Sequence, residues 1–476
     1  MHPRARTTGT VGGRCRSPSG TERLVRRVDH ERQVATALAG AFLAGEWEPA
    51  AMGRRGKRAL ADRRRWPTDL AQIVVRGYPD RPADRPRELA AFIAACEPFQ
   101  RAVRASHRPV RVHTWMAAPT EMGRRRWPVP VIDDLAALAG WLGVTPGHLA
   151  WFADARSLER TAAEERLRHH HRRWLRKADG SARLLEAPKR ELKDLQHQVL
   201  HHILDRIPPH EAAHGFRPGR SALTAARLHA GRAVVLHFDL ESFFTTVGAG
   251  RVHGVFRLAG YPEPVAHTLA GLCTTVTPPA VLRAAPPASD RTVAGQARGA
   301  AVERRRRMLA HLAGPHLAQG APTSPALANL SAYGLDRRLA GLARKLDATY
   351  TRYADDLVLS GDLGRRAAER IGALVADIAS DEGFRVHDGK SRRAGAAQRQ
   401  TVLGLVVNAH PNVTRREYDR LRAVLHDAAR HGPAAADRHG HADFRAHLEG
   451  RISWVTAANP ARGPKLRAAL EAVDWG

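Results

Sequence analysis

Cysteine is scarce in this chain: Cys15, Cys96 and Cys273 are the only three among 476 residues. They show no paired metal-ligand spacing and build no disulfide framework, which suits a reducing compartment. Long apolar runs are missing as well. No stretch reaches the ~20 residues that cross a bilayer, and the Arg-rich N-terminus lacks the apolar segment of a leader. The expected location is therefore cytoplasmic. Acids are the third shortage: Lys and Arg total 76 against 47 Asp and Glu, a formal charge of +29 with a pI near 11.3. Heavy use of Arg, Ala, Gly and Pro accounts for part of that excess, yet such a field attracts phosphate strongly and with marked salt dependence. Acidic ligands are expected, a polynucleotide first among them. The length exceeds one ordinary domain and predicts two to four folding units.

In a chain short of acids, the few that cluster carry information. The segment Tyr350 to Ser360 sets Asp355 and Asp356 between two short runs of strand-forming residues, with small Ala354 suited to a tight turn. It predicts a hairpin with an acidic tip. Alone, such a tip is ordinarily a solvated turn, although it can hold a metal. Two other segments change its meaning. Ala233 to Phe238 reads as a buried strand ending on Asp239, followed by Leu240-Glu241-Ser242-Phe243-Phe244. Gln319-Gly320-Ala321-Pro322-Thr323-Ser324-Pro325 reads as a loop entering a helix, with Ser324 as N-cap and Pro325 at the first helical position. Leu327, Leu330, Leu335, Leu339 and Leu342 would lay one apolar stripe of that helix under a sheet.

Strand-Asp, loop-helix and Asp-Asp hairpin, in that order, resemble the three palm motifs of a reverse transcriptase. Tyr353-Ala354-Asp355-Asp356 matches the Tyr-X-Asp-Asp box, Gln319 to Pro325 the Gln-Gly-X-Pro-X-Ser-Pro box, and Asp239 with Phe244 the first motif. Each box alone is weak, but their ordered co-occurrence is specific. The resemblance implies RNA-directed DNA synthesis on an α+β right-hand polymerase: fingers, a palm with a ferredoxin-like antiparallel sheet, a helical thumb, and here a mainly helical N-terminal region. It also implies two Mg2+ ions, with Asp239 and Asp355 as bridging ligands and Asp356 as a weaker partner. Phe244 corresponds to the family's steric gate against ribonucleotides; its plainer reading is a core aromatic. Gln319 and Gly320 would let the backbone approach template and nucleotide. Lys390, after Gly383-Phe384-Arg385-Val386, falls where the family places a lysine that protonates pyrophosphate, and it is otherwise a solvated charge.

Upstream, Trp174 to Leu185 predicts a hairpin around Asp179-Gly180. Arg183 and Pro188-Lys189 resemble basic fingers residues that close over the triphosphate, for which a planar guanidinium is suited. Leu192, Leu195, Val199 and Ile203 mark a packing helix that also carries Gln196. His214 to Ser221 resembles a further fingers box, in which Arg217 and Arg220 contact phosphate or template, or else brace a turn. Within the family the retron branch is the closest resemblance. Ala225-Ala226-Arg227-Leu228-His229 stands where retrons carry Asn-Ala-X-X-His, and Thr401 to Asn408 where Val-Thr-Gly precedes a strand, with Ala225 and Leu403 departing from the pattern. Retron resemblance implies copying of a structured noncoding RNA primed from a 2′-hydroxyl, a branched RNA-linked DNA (msDNA) product made from dNTPs, and antiphage defence with a toxin or effector partner. The alternatives are another bacterial reverse transcriptase, intron-like or an unclassified defence enzyme, and an RNA-binding protein that lost catalysis.

The expected boundaries are a disordered basic tail at 1–28, a helical region of unassigned role at 29–157, fingers at 158–232, palm at 233–411 and thumb at 412–476. Helical patterns fall at 29–47, at 87–100 and, broken at Gly143 and Pro146, between Ile132 and Ala153. The stretch 278–313, with Pro pairs and Arg304-Arg305-Arg306-Arg307, reads as an insertion whose basic run is solvated or touches a template duplex. His169-His170-His171 reads as helical surface, since adjacent histidines splay apart. Thr414 and Glu417 predict a capping box that opens a helix with Tyr418, Leu421 and Leu425 on one side and Arg415, Arg416, Arg420 and Arg422 exposed for a duplex backbone. Trp454 reads as core.

Overall fold

Among the described residues, extended runs and their turns build three small antiparallel sheets. The computed structural model describes residues 20–105, 110–177, 180–288, 296–387 and 389–475. β1 (His170–Arg176) and β2 (Ala182–Pro188) form a two-stranded ribbon; the expected Asp179 at its turn lies outside the described residues. The central sheet has the order β4-β5-β3-β6, from β3 (Val234–Asp239), β4 (Thr349–Tyr353), β5 (Asp356–Gly361) and β6 (Arg392–Gly395). Val234, Val235, Leu236 and Phe238 are all buried, so both faces of β3 are covered. On one side Val235 and Val358 join a core with Leu405, Val407, Leu421, Leu425 and Ile452. The third sheet pairs β7 (Thr401–Val402) with β8 (Leu405–Val406).

The chain divides into two compact units. The first holds Met1–Arg124, Val131–Leu138 and Gly260–Val265, and the second holds the remainder. The helices Gly20–Leu43, Pro49–Leu60, Trp66–Gly77, Pro86–Ala95 and Glu97–Arg104 build the first around Leu38, Phe42, Met52, Leu70, Leu89, Ile93 and Phe99. The expected tail at 1–28 is helical from Gly20 onward, and 1–19 lie outside the described residues. The stretch 139–157 groups with the second unit, so the expected boundary at 157 does not follow compactness. No described helix is long and apolar enough to cross a membrane.

Within the second unit several expectations need correction. The helix after the Gln319 loop begins one residue early: Thr323 is the N-cap, Ser324 the first helical residue, and neither gives a side-chain cap. The expected single stripe is two helices, Ser324–Ser331 and Tyr333–Lys345, broken at Ala332 (φ −89°, ψ 6°). The basic run is only partly solvated: on the helix Gln296–Ala313, Arg305 turns onto the carbonyls of Pro286 and Ala285 and Arg307 onto Glu241, while Arg306 is 73% exposed. His169 to His171 is not helical, and only His171 is exposed, on β1. His169 and His170 are buried where β1 begins, because Glu159 accepts from the His169 amide at 2.6 Å and its carboxylate lies 3.3 Å from His170 Nδ1. Thr401 to Asn408 is a tight hairpin with Leu403 (φ 49°) and Gly404 (φ 85°) at its turn. Trp454 sits 36% exposed in mid-helix (Phe444–Ala458), not in the core. Thr414 Oγ1 caps the helix Arg415–His431 by accepting from Glu417 N.

Helix Ala222–Leu228 is opened by a capping box between Ser221 and Thr224 and is followed by His229, whose burial explains the retron-like spacing. The ring is fully buried, with Nδ1 2.7 Å from Ser360 Oγ on β5 and Nε2 2.7 Å from Thr351 Oγ1 on β4. Neutral imidazole donates from one nitrogen and accepts at the other, so it laces the two strands to the helix. Burial pushes its pKa down to about 3, with nearby positive charge adding to the effect. A depressed histidine stabilises the fold fully above its unfolded value and loses that contribution as pH falls. Between pH 7 and 5 the wild type should therefore lose about 2 kcal/mol more than His229→Gln. Urea unfolding of both proteins at the two pH values checks this, and equal losses would contradict it.

Candidate active site

The acidic tip is a two-residue turn. Tyr353 pairs with Asp356 across β4 and β5, leaving Ala354 and Asp355 at the bend, and Ala354 takes φ 54°. A side chain rarely adopts that conformation, so neighbours must hold it there. They do. Gly215 lies so close that a Cβ on it would stand 2.9 Å from the Ala354 nitrogen. Arg352 Nη1 donates to the Ala354 carbonyl at 3.1 Å and to Asn329 Oδ1 at 2.9 Å, while Asn329 Nδ2 donates to the Gly215 carbonyl. The other edge of the Arg352 guanidinium makes a bidentate pair with Asp336 at 2.7 and 2.8 Å, and Tyr350 Oη donates to the same carboxylate. Arg352 and Asp336 are both fully buried.

The third acid arrives by register. β3 and β5 run antiparallel with Asp239 opposite Asp356, and Leu240 N donates to the Asp355 carbonyl at 2.9 Å. On the far side His387 N donates to the Asp239 carbonyl at 2.7 Å, which brings up the loop carrying Lys390. Lys390 Nζ donates to both carboxylate oxygens of Asp239 at 3.1 Å. Asp239, Asp356, Lys390, Leu403 and Gly404 line one cavity of about 270 Å³. A larger cavity, about 1240 Å³ among the C-terminal helices, includes none of the three acids.

Charge crowding marks the cluster. Burial pushes Asp356 up to about 6, with Asp355 and Asp239 adding to the shift, and burial followed by Asp239 raises Asp355. Lys390 and Arg183 pull Asp355 the other way. Among the described residues no three metal-ligating groups already converge on one ion position. The donor set nevertheless fits a hard divalent cation, being all carboxylate oxygen with a mutual repulsion that added positive charge relieves.

The neighbourhood also fits known proteins. Residues 310–407 match the family described as reverse transcriptase (RNA-dependent DNA polymerase). The chain is 42% identical over 352 residues to the retron Mx65 reverse transcriptase of Myxococcus xanthus, covering 73% of this chain and 74% of that one. The chain belongs to the retron reverse transcriptases. It is an RNA-directed DNA polymerase with the helix-rich polymerase fold and small antiparallel sheets of its family. The retron Mx162 enzyme of the same organism is 36% identical over 360 residues (72% and 67%), and retron Ec86 of Escherichia coli 31% over 245 residues (51% and 64%).

Other residues of this retron reverse transcriptase fall into place unevenly. Phe244 is half-buried, with ring centroids 5.6 Å from Phe243 and 6.1 Å from Phe216, which is itself 49% exposed. Arg183 is exposed on β2, near enough to Asp355 to lower its pKa. Lys189 is occupied elsewhere, its Nζ donating to the carbonyls of Glu165 and Arg166. Gly320 takes φ 127°, and Gln319 accepts from the Glu186 amide, so this loop is fitted against β2. Arg217 reaches the His210 carbonyl, whereas Arg220 is exposed. Arg415, Arg416 and Arg420 are exposed together, Arg415 within 3.5 Å of Asp419. Gln196 donates to the Leu272 carbonyl and is structural. Sequence reasoning missed Asn329, Asp336 and Arg352. Their signal was polar residues seven apart within a leucine stripe, and an arginine inside a strand.

Removing one partner of a buried ion pair strands the other charge, which costs roughly 3–5 kcal/mol. Asp336→Ala should lower the urea midpoint accordingly, and Asp336→Leu with Arg352→Met should recover much of the loss. A midpoint for Asp336→Ala within error of wild type would refute this account of the turn.

Proposed function

We propose that this enzyme is a right-hand polymerase in which β3 to β6 form the palm, the β1–β2 ribbon belongs to the fingers and the helices from Arg415 onward make the thumb. It copies a structured noncoding RNA, primed from a 2′-hydroxyl, into a branched RNA-linked DNA. The observation that carries the reading is the convergence of Asp239, Asp355 and Asp356 through one register pair and one strained turn. Asp239 and Asp355 would hold two magnesium ions, with Asp356 as a weaker partner. What the ions supply when bound is activation of the attacking hydroxyl and stabilisation of the leaving pyrophosphate. The protein's own residues do the rest. Lys390 leaves Asp239 when nucleotide binds and donates a proton to pyrophosphate. Arg183 receives the triphosphate with Lys189 flanking it, and Gln319 and Gly320 shape the nucleotide's approach. Phe244 closes the space below the sugar. Arg217, Arg220, Arg415, Arg416 and Arg420 track nucleic-acid phosphates.

Retron Mx65 and Ec86 are named reverse transcriptases of retrons; as their relative, this enzyme would act in the cytoplasm, in antiphage defence beside an effector protein. The first unit is then a surface for template RNA or that partner. Primer extension on poly-rA/oligo-dT with magnesium should give full-length product, and Asp355→Asn should reduce synthesis by at least ~10³-fold while leaving RNA affinity within about twofold. Retained synthesis in that variant would remove the metal-site assignment. Sequencing of copurifying nucleic acid should return short DNA joined to RNA through a branch; unbranched cDNA would favour an intron-like enzyme.

A further inference from the structure

The two faces of the β1–β2 ribbon have opposite characters. The register pairs Arg172 with Glu186 and Leu175 with Arg183, and strand alternation puts Glu186 and Arg183 on opposite faces. Glu186 is fully buried and Arg183 is exposed. Beneath the ribbon, Glu186 Oε1 accepts from Arg172 Nε and Thr277 Oγ1, both at 2.9 Å, and Oε2 lies 2.6 Å from His316 Nε2. His316 Nδ1 is 2.8 Å from the Gly314 carbonyl, so both ring nitrogens are engaged and the ring orientation is fixed. Arg172 also pairs with Glu159 at 2.8 Å, while Arg172 Nη1 and His170 Nε2 are buried without a partner. The cluster is rich in donors, and Glu186 is the acceptor on which three of them converge.

Glu186 is also where this ribbon meets the loop before the Ser324–Ser331 helix. Its amide donates to the Gln319 carbonyl at 2.8 Å, and a Cβ on Gly320 would stand 3.3 Å from both the Glu186 carbonyl oxygen and Ala187 Cα. His316, three residues before Gln319, exchanges backbone hydrogen bonds with Thr275 at 2.9 and 3.0 Å. One side chain and one amide of a single residue thus tie the ribbon to both ends of the 316–320 segment.

We propose that Glu186 is a positioning residue for the incoming nucleotide, fixing the ribbon so that Arg183 on its opposite face is held over the Asp355–Asp356 turn. This rests on the reading that Arg183 receives the triphosphate. Glu186 touches no reacting atom; it acts through Arg183 and through the Gln319–Gly320 loop. The carboxylate is suited to the task because its charge is locked: burial alone would raise its pKa, yet His316 and Arg172 hold it at about 2.

The test is steady-state dTTP incorporation on poly-rA/oligo-dT by the full chain carrying Arg183→Ala, Glu186→Gln or both. Expected are a KM for dTTP raised about tenfold by Arg183→Ala and about fivefold by Glu186→Gln with kcat within about twofold, and a double variant no worse than Arg183→Ala alone. Multiplying effects in the double variant, or a fall in kcat with KM unchanged for Glu186→Gln, would overturn the positioning role while leaving Arg183 as a nucleotide contact. An unchanged KM for Arg183→Ala would instead remove the reading on which the proposal rests. Where Glu186→Gln does not accumulate as folded protein, Thr277→Val removes only one of its hydrogen bonds and should raise KM by about twofold; an unchanged KM would overturn the proposal.

Discussion

A guanidinium withdrawn from water governs the geometry of the acidic turn. Burying Arg352 costs several kcal/mol in lost hydration, and only a full set of well-directed partners offsets it. Asp336 takes two of its donors, Asn329 and the Ala354 carbonyl share a third, and the Phe243 ring lies 5.4 Å from its centre. Each partner comes from a different piece of chain. The ion pair therefore acts as a register pin: it sets the broken helix, the β4 strand, the Gly215 loop and the left-handed Ala354 at once. A solvated loop has no such constraint, and its carboxylates would not be held beside a third acid.

That constraint makes the electrostatics unfavourable by design of the fold. Three acids are brought to one sheet end, and burial and mutual repulsion raise the pKa of two of them, Asp356 to about 6. Lys390 on Asp239 and Arg183 near Asp355 offset part of that repulsion. Strain of this kind persists only where surrounding structure over-determines it. Here the over-determination is visible in the Arg352 network and in the backbone bonds from Leu240 and His387 that clamp the end of β3 from both sides.

The ribbon β1–β2 repeats the theme with a second buried cluster. Glu159, Arg172, Glu186 and His316 exchange charge-assisted hydrogen bonds under one face, leaving the other face free to present Arg173 and Arg183 to solvent. The chain's positive excess is thus not all displayed. Arg172, Arg305, Arg307 and Arg352 are spent inside the fold, on carboxylates or carbonyls, while Arg183, Arg220, Arg415, Arg416 and Arg420 are exposed to solvent.

Asp239 at a strand end, the Gln319 loop opening a helix and the Asp355–Asp356 hairpin were legible in the sequence because each depends on local chemistry: period-two apolar runs, proline near a helix start and turn residues. The buried histidines, the inward arginines and the helix break at Ala332 were not, because a lone polar residue reads as surface until its partner, often more than a hundred positions away, is known. His316 meets Glu186 across 130 residues, and His229 meets Ser360 across 131. The sequence by itself determined the family, the order of the motifs and the identity of the three acids. Only the tertiary structure decided which charges are buried and which face solvent, since a side chain's solvation and hydrogen-bond partners are set by whatever segment folds over it.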